Sequence, residues 1–113
     1  MIHIIIYQNE QREYTGFRME GHAGYAEHGQ DIVCAAVSVL VINTINAIEA
    51  FTEDRSRHAV HEEKDVVCFE IVSTPISDSA QLLLRSLVLG LKGIRSEYGR
   101  KYLEIKTKKQ HNH

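Results

Sequence analysis

The chain has 113 residues, 43% of them hydrophobic and 25% charged, with one proline and a formal net charge of −2. Such a composition suits a single globular domain with one core and leaves no room for a second. It contains no internal repeat and no low-complexity segment, and the first residues, MIHIIIYQNEQ, lack the basic and apolar regions of a signal peptide.

Ile2 to Tyr7 is apolar apart from His3 and short enough for a strand, and Gln8 to Arg12 is a polar turn. Glu13 to Glu20 alternates loosely, with Tyr14, Phe17 and Met19 as inward positions, and Gly16 marks a bulge or a close backbone approach. The two runs predict a hairpin that delivers His22 at its end.

After a loop with Gly24 and Gly29, a helix is expected from Asp31 to about Phe51. Val37, Leu40, Val41, Ile45 and Ile48 recur at three- and four-residue spacing, and the helix is apolar enough around its circumference to be largely buried. Ser38, Asn43, Thr44, Asn46 and Glu49 interrupt the run and argue against a membrane span.

Arg57 to His61 reads as a weak strand, residues 62–65 as a turn, and Val66 to Val72 as a strong strand, giving a second hairpin. His58 and His61 fall on opposite strand faces with no acid or cysteine at metal spacing, so they read as surface residues. Cys68 reads as a buried strand residue, and its pairing with Cys34 is not expected without a CxxC motif in a cytoplasmic setting.

Beyond Pro75, Ser77 can cap a helix running to about Tyr98, with Leu83, Leu84, Leu87, Leu91 and Ile94 inward and Gly99 as terminator. Gly90 and Gly93 inside it predict close packing against a neighbour. Lys101 to Lys106 is a last strand, closing a domain over residues 1–106, and residues 107–113 read as a polar, disordered tail. Strand, strand, helix, strand, strand, helix, strand implies an α+β, two-layer domain with its helices on a mixed or antiparallel sheet.

One stretch carries chemistry: Gly21 to Leu40, GHAGYAEHGQDIVCAAVSVL, sets a histidine and a cysteine around a strand, a loop and a helix start. Only a thiolate is a strong nucleophile, and an unperturbed cysteine with a pKa of about 8.5 is mostly protonated at neutral pH. With Asp31 as N-cap, Cys34 would sit in the first turn, where free N–H groups and the helix dipole favour an anion. A nearby His22 could take the thiol proton, and the imidazolium would then hold the thiolate. Ser38 shares a helix face with Cys34. Its hydroxyl either bonds back to the preceding turn's carbonyl or makes a polar contact beside the thiol. The loop from Ala23 to Gln30, with Gly24 and Gly29 at its ends, is expected to be a mobile gate.

Gly21-His22-Ala23 and Asp31-Ile32-Val33-Cys34-Ala35-Ala36-Val37-Ser38 resemble the motifs of the ribosomal-processing cysteine proteases called Prp, and the resemblance extends over essentially the whole chain. It implies an endopeptidase with Cys34 as nucleophile and His22 as general base, while Asp31 and Ser38 match further polar positions. It also implies the same α+β class and a homodimer; the cytoplasmic setting is expected instead from the N-terminus and the interrupted apolar run. The implied substrate is the short N-terminal extension of a large-subunit ribosomal protein, cut after an aromatic residue. No cofactor and no metal are expected.

Two alternatives stand beside it. His22, His28, Cys34 and Asp31 are ligand types for zinc, but their spacing matches none of the tight pairs that ligand geometry favours. Charge suggests the other. Residues 1–73 carry 5 basic and 12 acidic side chains, while residues 74–113 carry 8 and 3. The acidic half holds the proposed site and suits a cationic substrate. The basic half, with Arg85, Lys92, Arg95, Arg100 and Lys101, suits a non-enzymatic module that binds RNA or a ribosomal protein.

Overall fold

A computed structural model describes residues 1–21, 28–61 and 65–110, with residues 28–31 described by their backbone. Its elements are β1 (Ile2–Gln8), β2 (Tyr14–Glu20), α1 (His28–Phe51), β3 (Ser56–His61), β4 (Val66–Ile71), α2 (Asp78–Tyr98) and β5 (Leu103–Lys109). The strands form one sheet in the order β3-β4-β2-β1-β5. Neighbours are antiparallel except β1 and β5, which run parallel. The expected α+β two-layer domain is the observed one.

Alternation decides which sheet face the helices cover. Ile2, Ile4 and Ile6 are buried on β1, Phe17 on β2, Phe69 and Ile71 on β4 and Leu103 on β5, all inward. Phe17 and Phe69 are register partners and stack with ring centroids 5.3 Å apart. The opposite face is polar: His3 Nδ1 lies 3.0 Å from Glu104, Arg18 pairs with Glu20 and Arg57 with Glu70. Asn9 builds the β1–β2 turn by accepting the N–H groups of Gln11 and Glu13 on its side-chain oxygen.

Gly16 has both features expected of it. The register shifts between Tyr7 and Gln8, leaving Thr15 as the extra residue on β2. A Cβ on Gly16 would lie 2.1 Å from the Phe69 carbonyl oxygen, so β2 and β4 meet too closely there for any side chain.

The helices fill the inner face. Val33, Val37, Val41, Ile45 and Ile48 form the buried stripe of α1, and Ala80, Leu84, Leu87, Val88 and Leu91 that of α2. Ser77 caps α2, accepting the Ala80 N–H at 3.0 Å, and Gly99 ends it at φ +101. Ile32–Phe51 is long and apolar enough to cross a membrane by composition, yet its buried stripe forms part of the core cluster with the sheet strands and α2.

Four expectations are corrected. α1 begins at His28, not Asp31, so Gly29 belongs to its first turn and not to a loop. A glycine is tolerated there because the first N–H groups of a helix have no intrahelical partner in any case. α1 is less buried than expected: Val39 is 70% exposed and Ile42 57%. They project from the side of the helix that the sheet does not reach. Gly90 does pack closely, its virtual Cβ meeting Leu40 Cδ2 at 2.6 Å, but Gly93, roughly 60° further around α2 and exposed, has nothing within 4 Å. Finally, β5 runs on through Thr107, Lys108 and Lys109, which pair with Ile6, Tyr7 and Gln8. Main-chain bonding alone holds an edge strand, and lysines suit its open side.

Candidate active site

Cys34 lies in the second turn of α1, half-buried, and packs against the core cluster. It borders the Val33-Val37-Val41 stripe on one flank, and Leu40 borders it on the other, roughly 120° around the helix from Cys34. Leu40 faces α2 through Gly90, so Cys34 and Ser38 look away from α2. Glu49, roughly 60° from Cys34, lies on the same side and reaches His58 of β3, with Glu49 Oε1 and His58 Nδ1 3.5 Å apart. The thiol therefore stands at the N-terminal end of the flank that overlooks β3.

The correction to the helix start alters the electrostatics expected of the site. A helix dipole acts within its first turn, and Cys34 lies beyond that turn. His22 and Gly24 lie outside the described residues, as does most of the expected gate over residues 23–30, while residues 28–30 are helical. Asp31 falls at the end of the first turn of α1 and not at its start, so it is not the N-cap position expected of it.

What precedes His22 is well defined. Gly21 has φ +119, and a Cβ there would lie 2.5 Å from the Met1 carbonyl oxygen. Its N–H donates to the Asp65 carbonyl at 3.2 Å, tying the end of β2 to the β3–β4 hairpin. Only glycine combines that φ with that approach. Sequence reading used Gly21 as a motif letter and missed this role; a glycine directly before a proposed catalytic histidine was the available signal.

The two readings of Ser38 separate here. Thr44 and Thr52 donate their hydroxyls to the carbonyls of Leu40 and Ile48, at 2.8 and 2.7 Å. Ser38, also half-buried, makes no such bond among the described residues. Among the described residues its hydroxyl has no partner, one turn from the thiol.

Cys68 is remote from this chemistry. It is half-buried rather than buried, because it points to the polar face of the sheet beside Arg18, where the covering layer is absent. Both cysteines are free, and the sheet stands between them. Among the described residues no group of three or more His, Cys, Asp or Glu could hold a metal ion. His58 and His61 are exposed, as expected.

Another concave surface lies between the helices, a groove of about 640 Å³ lined by Ala35, Ala36, Val39, Leu40, Gly90 and Ile94. Apolar side chains dominate it, and Val39 at its rim is largely exposed.

Known proteins match this architecture along nearly its full length. The ribosomal processing cysteine protease Prp of Staphylococcus aureus is 34% identical over 99 residues, covering 87% of this chain and 92% of its own. That of Bacillus subtilis is 31% identical over 101 residues, covering 87% and 90%. The crystal structure of the S. aureus protease in complex with a covalently linked product peptide superposes with a TM-score of 0.83 at 31% identity, covering 96% of this chain and all of that one. The model of the cysteine protease Prp family matches residues 1–103, and the chain belongs to that family.

Proposed function

We propose that this chain is the endopeptidase that removes the short N-terminal extension of a large-subunit ribosomal protein in the cytoplasm, with Cys34 as nucleophile and His22 as general base. The observation that carries the reading is the near-complete overlap with a protease whose crystal structure holds a covalently linked product peptide. Sequence relatives named for ribosomal processing support the same substrate class.

The chemistry follows from the residue types. His22 takes the Cys34 proton, and the thiolate attacks the scissile carbonyl to give a tetrahedral oxyanion. Collapse breaks the C–N bond, the leaving amine takes the proton back from the imidazolium, and a thioester remains. Water, deprotonated by His22, then releases the new carboxylate and restores the thiol. The Ser38 hydroxyl is placed to stabilise one of these charged states, and Asp31 adds negative charge near the helix start that suits a cationic peptide.

The apolar groove between α1 and α2, with Val39 and Leu89 exposed at 70% and 74%, supports a homodimer closed over that face.

Incubation with a peptide spanning such an extension, read by mass, tests the proposal. One cleavage at a defined bond is expected, and an intact peptide after prolonged incubation with folded protein would sink it.

A further inference from the structure

Some basic side chains of this fold stand in contrasting settings. On the polar sheet face they are matched: Arg18 with Glu20 at 3.0 Å, Arg57 with Glu70 at 2.9 Å, and Lys106 with Glu104 at 3.8 Å. At the C-terminal end of α2 they are not. Lys92, Arg95 and Arg100 surround one hollow of about 400 Å³ together with Ser96 and Gly99. None of the three has an acidic partner among the described residues.

The local chain explains the convergence. Lys92, Arg95 and Ser96 follow at three- and four-residue spacing on one side of α2. Glu97, the one acid in those last turns, lies roughly 140° around the helix from Lys92 and so faces elsewhere. Gly99, at φ +101 and with its N–H on the Arg95 carbonyl at 2.9 Å, turns the chain so that Arg100 lines the same hollow. Its missing side chain leaves that hollow open, since a Cβ there would meet nothing within 4 Å.

Three cations held together without counter-charges repel one another, and the arrangement is relieved by an anion. Two guanidinium forks, an ammonium and a hydroxyl match the oxygens of phosphate groups spaced along a chain. A lipid surface fits less well, because membrane-lying helices set their basic residues beside a free apolar face, whereas the lining of this hollow, Lys92, Arg95, Ser96, Gly99 and Arg100, holds no apolar side chain. We infer that Lys92, Arg95, Ser96 and Arg100 form a binding site for the phosphate backbone of RNA. The hollow lies on α2, while Cys34 faces away from α2 on α1, so RNA and peptide can be held together. An anchor of this kind would bring the enzyme to substrate already carried on RNA. That consequence rests on the proposed substrate, but the binding site itself does not.

Fluorescence anisotropy of a short labelled single-stranded RNA of mixed sequence, titrated with the full chain across salt concentrations, tests the site. Three phosphate contacts predict a log–log salt slope of roughly −2. The variant carrying Lys92→Gln, Arg95→Gln and Arg100→Gln should bind about tenfold or more weakly with a slope near zero. Its far-UV circular dichroism and its activity on a free peptide should be unchanged. The charge-preserving set Lys92→Arg, Arg95→Lys and Arg100→Lys should retain binding, which separates lost charge from lost structure. Removal of the three matched cations by Arg18→Gln, Arg57→Gln and Lys106→Gln should weaken binding clearly less. Equal weakening by that control, no binding at low salt, or binding to anionic phospholipid vesicles but not to RNA would each overturn the inference.

Discussion

The Asp54 carboxylate accepts the backbone N–H of Ser77 at 2.8 Å, and so joins the loop after α1 to the residue that caps α2. Ser77 in turn accepts the Ala80 N–H through its hydroxyl. The two helices of the domain are therefore linked by a relay of loop carboxylate, cap and first turn, which fixes where α2 starts relative to where α1 ends.

Stability should depend on Asp54 in a pH-specific way. Burial pushes its carboxyl up, but hydrogen bonding with Ser77 and, in smaller measure, with Thr52 and its own backbone outweighs that effect and holds it below the usual 3.8. A depressed folded-state value means that the contribution is complete above about 3.8 and is lost as pH falls through the lower, folded value. Urea unfolding of Asp54→Ala should show a loss of about 1 kcal/mol at neutral pH. The gap from the parent should close in acid. A gap that stays constant to low pH would show that the charge is irrelevant.

Cleavage should vanish in Cys34→Ala and in His22→Ala with the fold intact, and the double variant should be no worse than either, because residues that act as one unit are not additive. Ser38→Ala should lower turnover while leaving the unfolding free energy within about 0.5 kcal/mol of the parent, since no bond to a described residue is lost. Equal activity in Ser38→Ala would confine that hydroxyl to solvation.

Two glycines should respond in opposite directions. Gly93→Ala fills open space in a helix and should stabilise by about 0.8 kcal/mol. Gly16→Ala drives a Cβ into the Phe69 carbonyl and should destabilise by about 2 kcal/mol or more, as overpacking does. Thermal unfolding of both variants against the parent measures the contrast.

Light scattering should find a dimer, and Val39→Glu or Leu89→Lys should convert it to monomer. Neither change should much affect the stability of the monomer fold, because both side chains are largely exposed. A parent that is monomeric at high concentration would remove the dimer from the proposal.

Sequence periodicity carried most of the fold. The strand runs and the α2 cap at Ser77 were legible because alternation, helical spacing and capping chemistry are local properties. The start of α1 was not. Asp31 is a good cap by type, but helix starts are decided by how far the main-chain ladder extends, and His28 and Gly29 carry no side-chain signal for it. Gly93 misled in a similar way, because a helix glycine marks close packing only on the side where a neighbour lies, and Gly90 has that side. Lys108 and Lys109 looked like tail because their pairing partners, Tyr7 and Gln8, are far away in sequence. Of the candidate site, Cys34 and Ser38 were placed on one helix face correctly, whereas the hollow lined by Lys92 and Arg100 depends on the Gly99 turn and was visible in sequence only as charge.

The parallel pairing of β1 with β5 orders events during synthesis. β1 leaves the ribosome before the other strands of this sheet, and β2 can pair with it at once, but its other edge lacks its β5 partner until Leu103 to Lys109 have been made. Until then Ile2, Ile4 and Ile6 lack the Leu103 neighbour that helps enclose them. Nascent chains stalled before residue 103 should therefore be open to proteolysis and prone to pair through that edge, so the final strand acts as a latch that the rest of the fold must wait for.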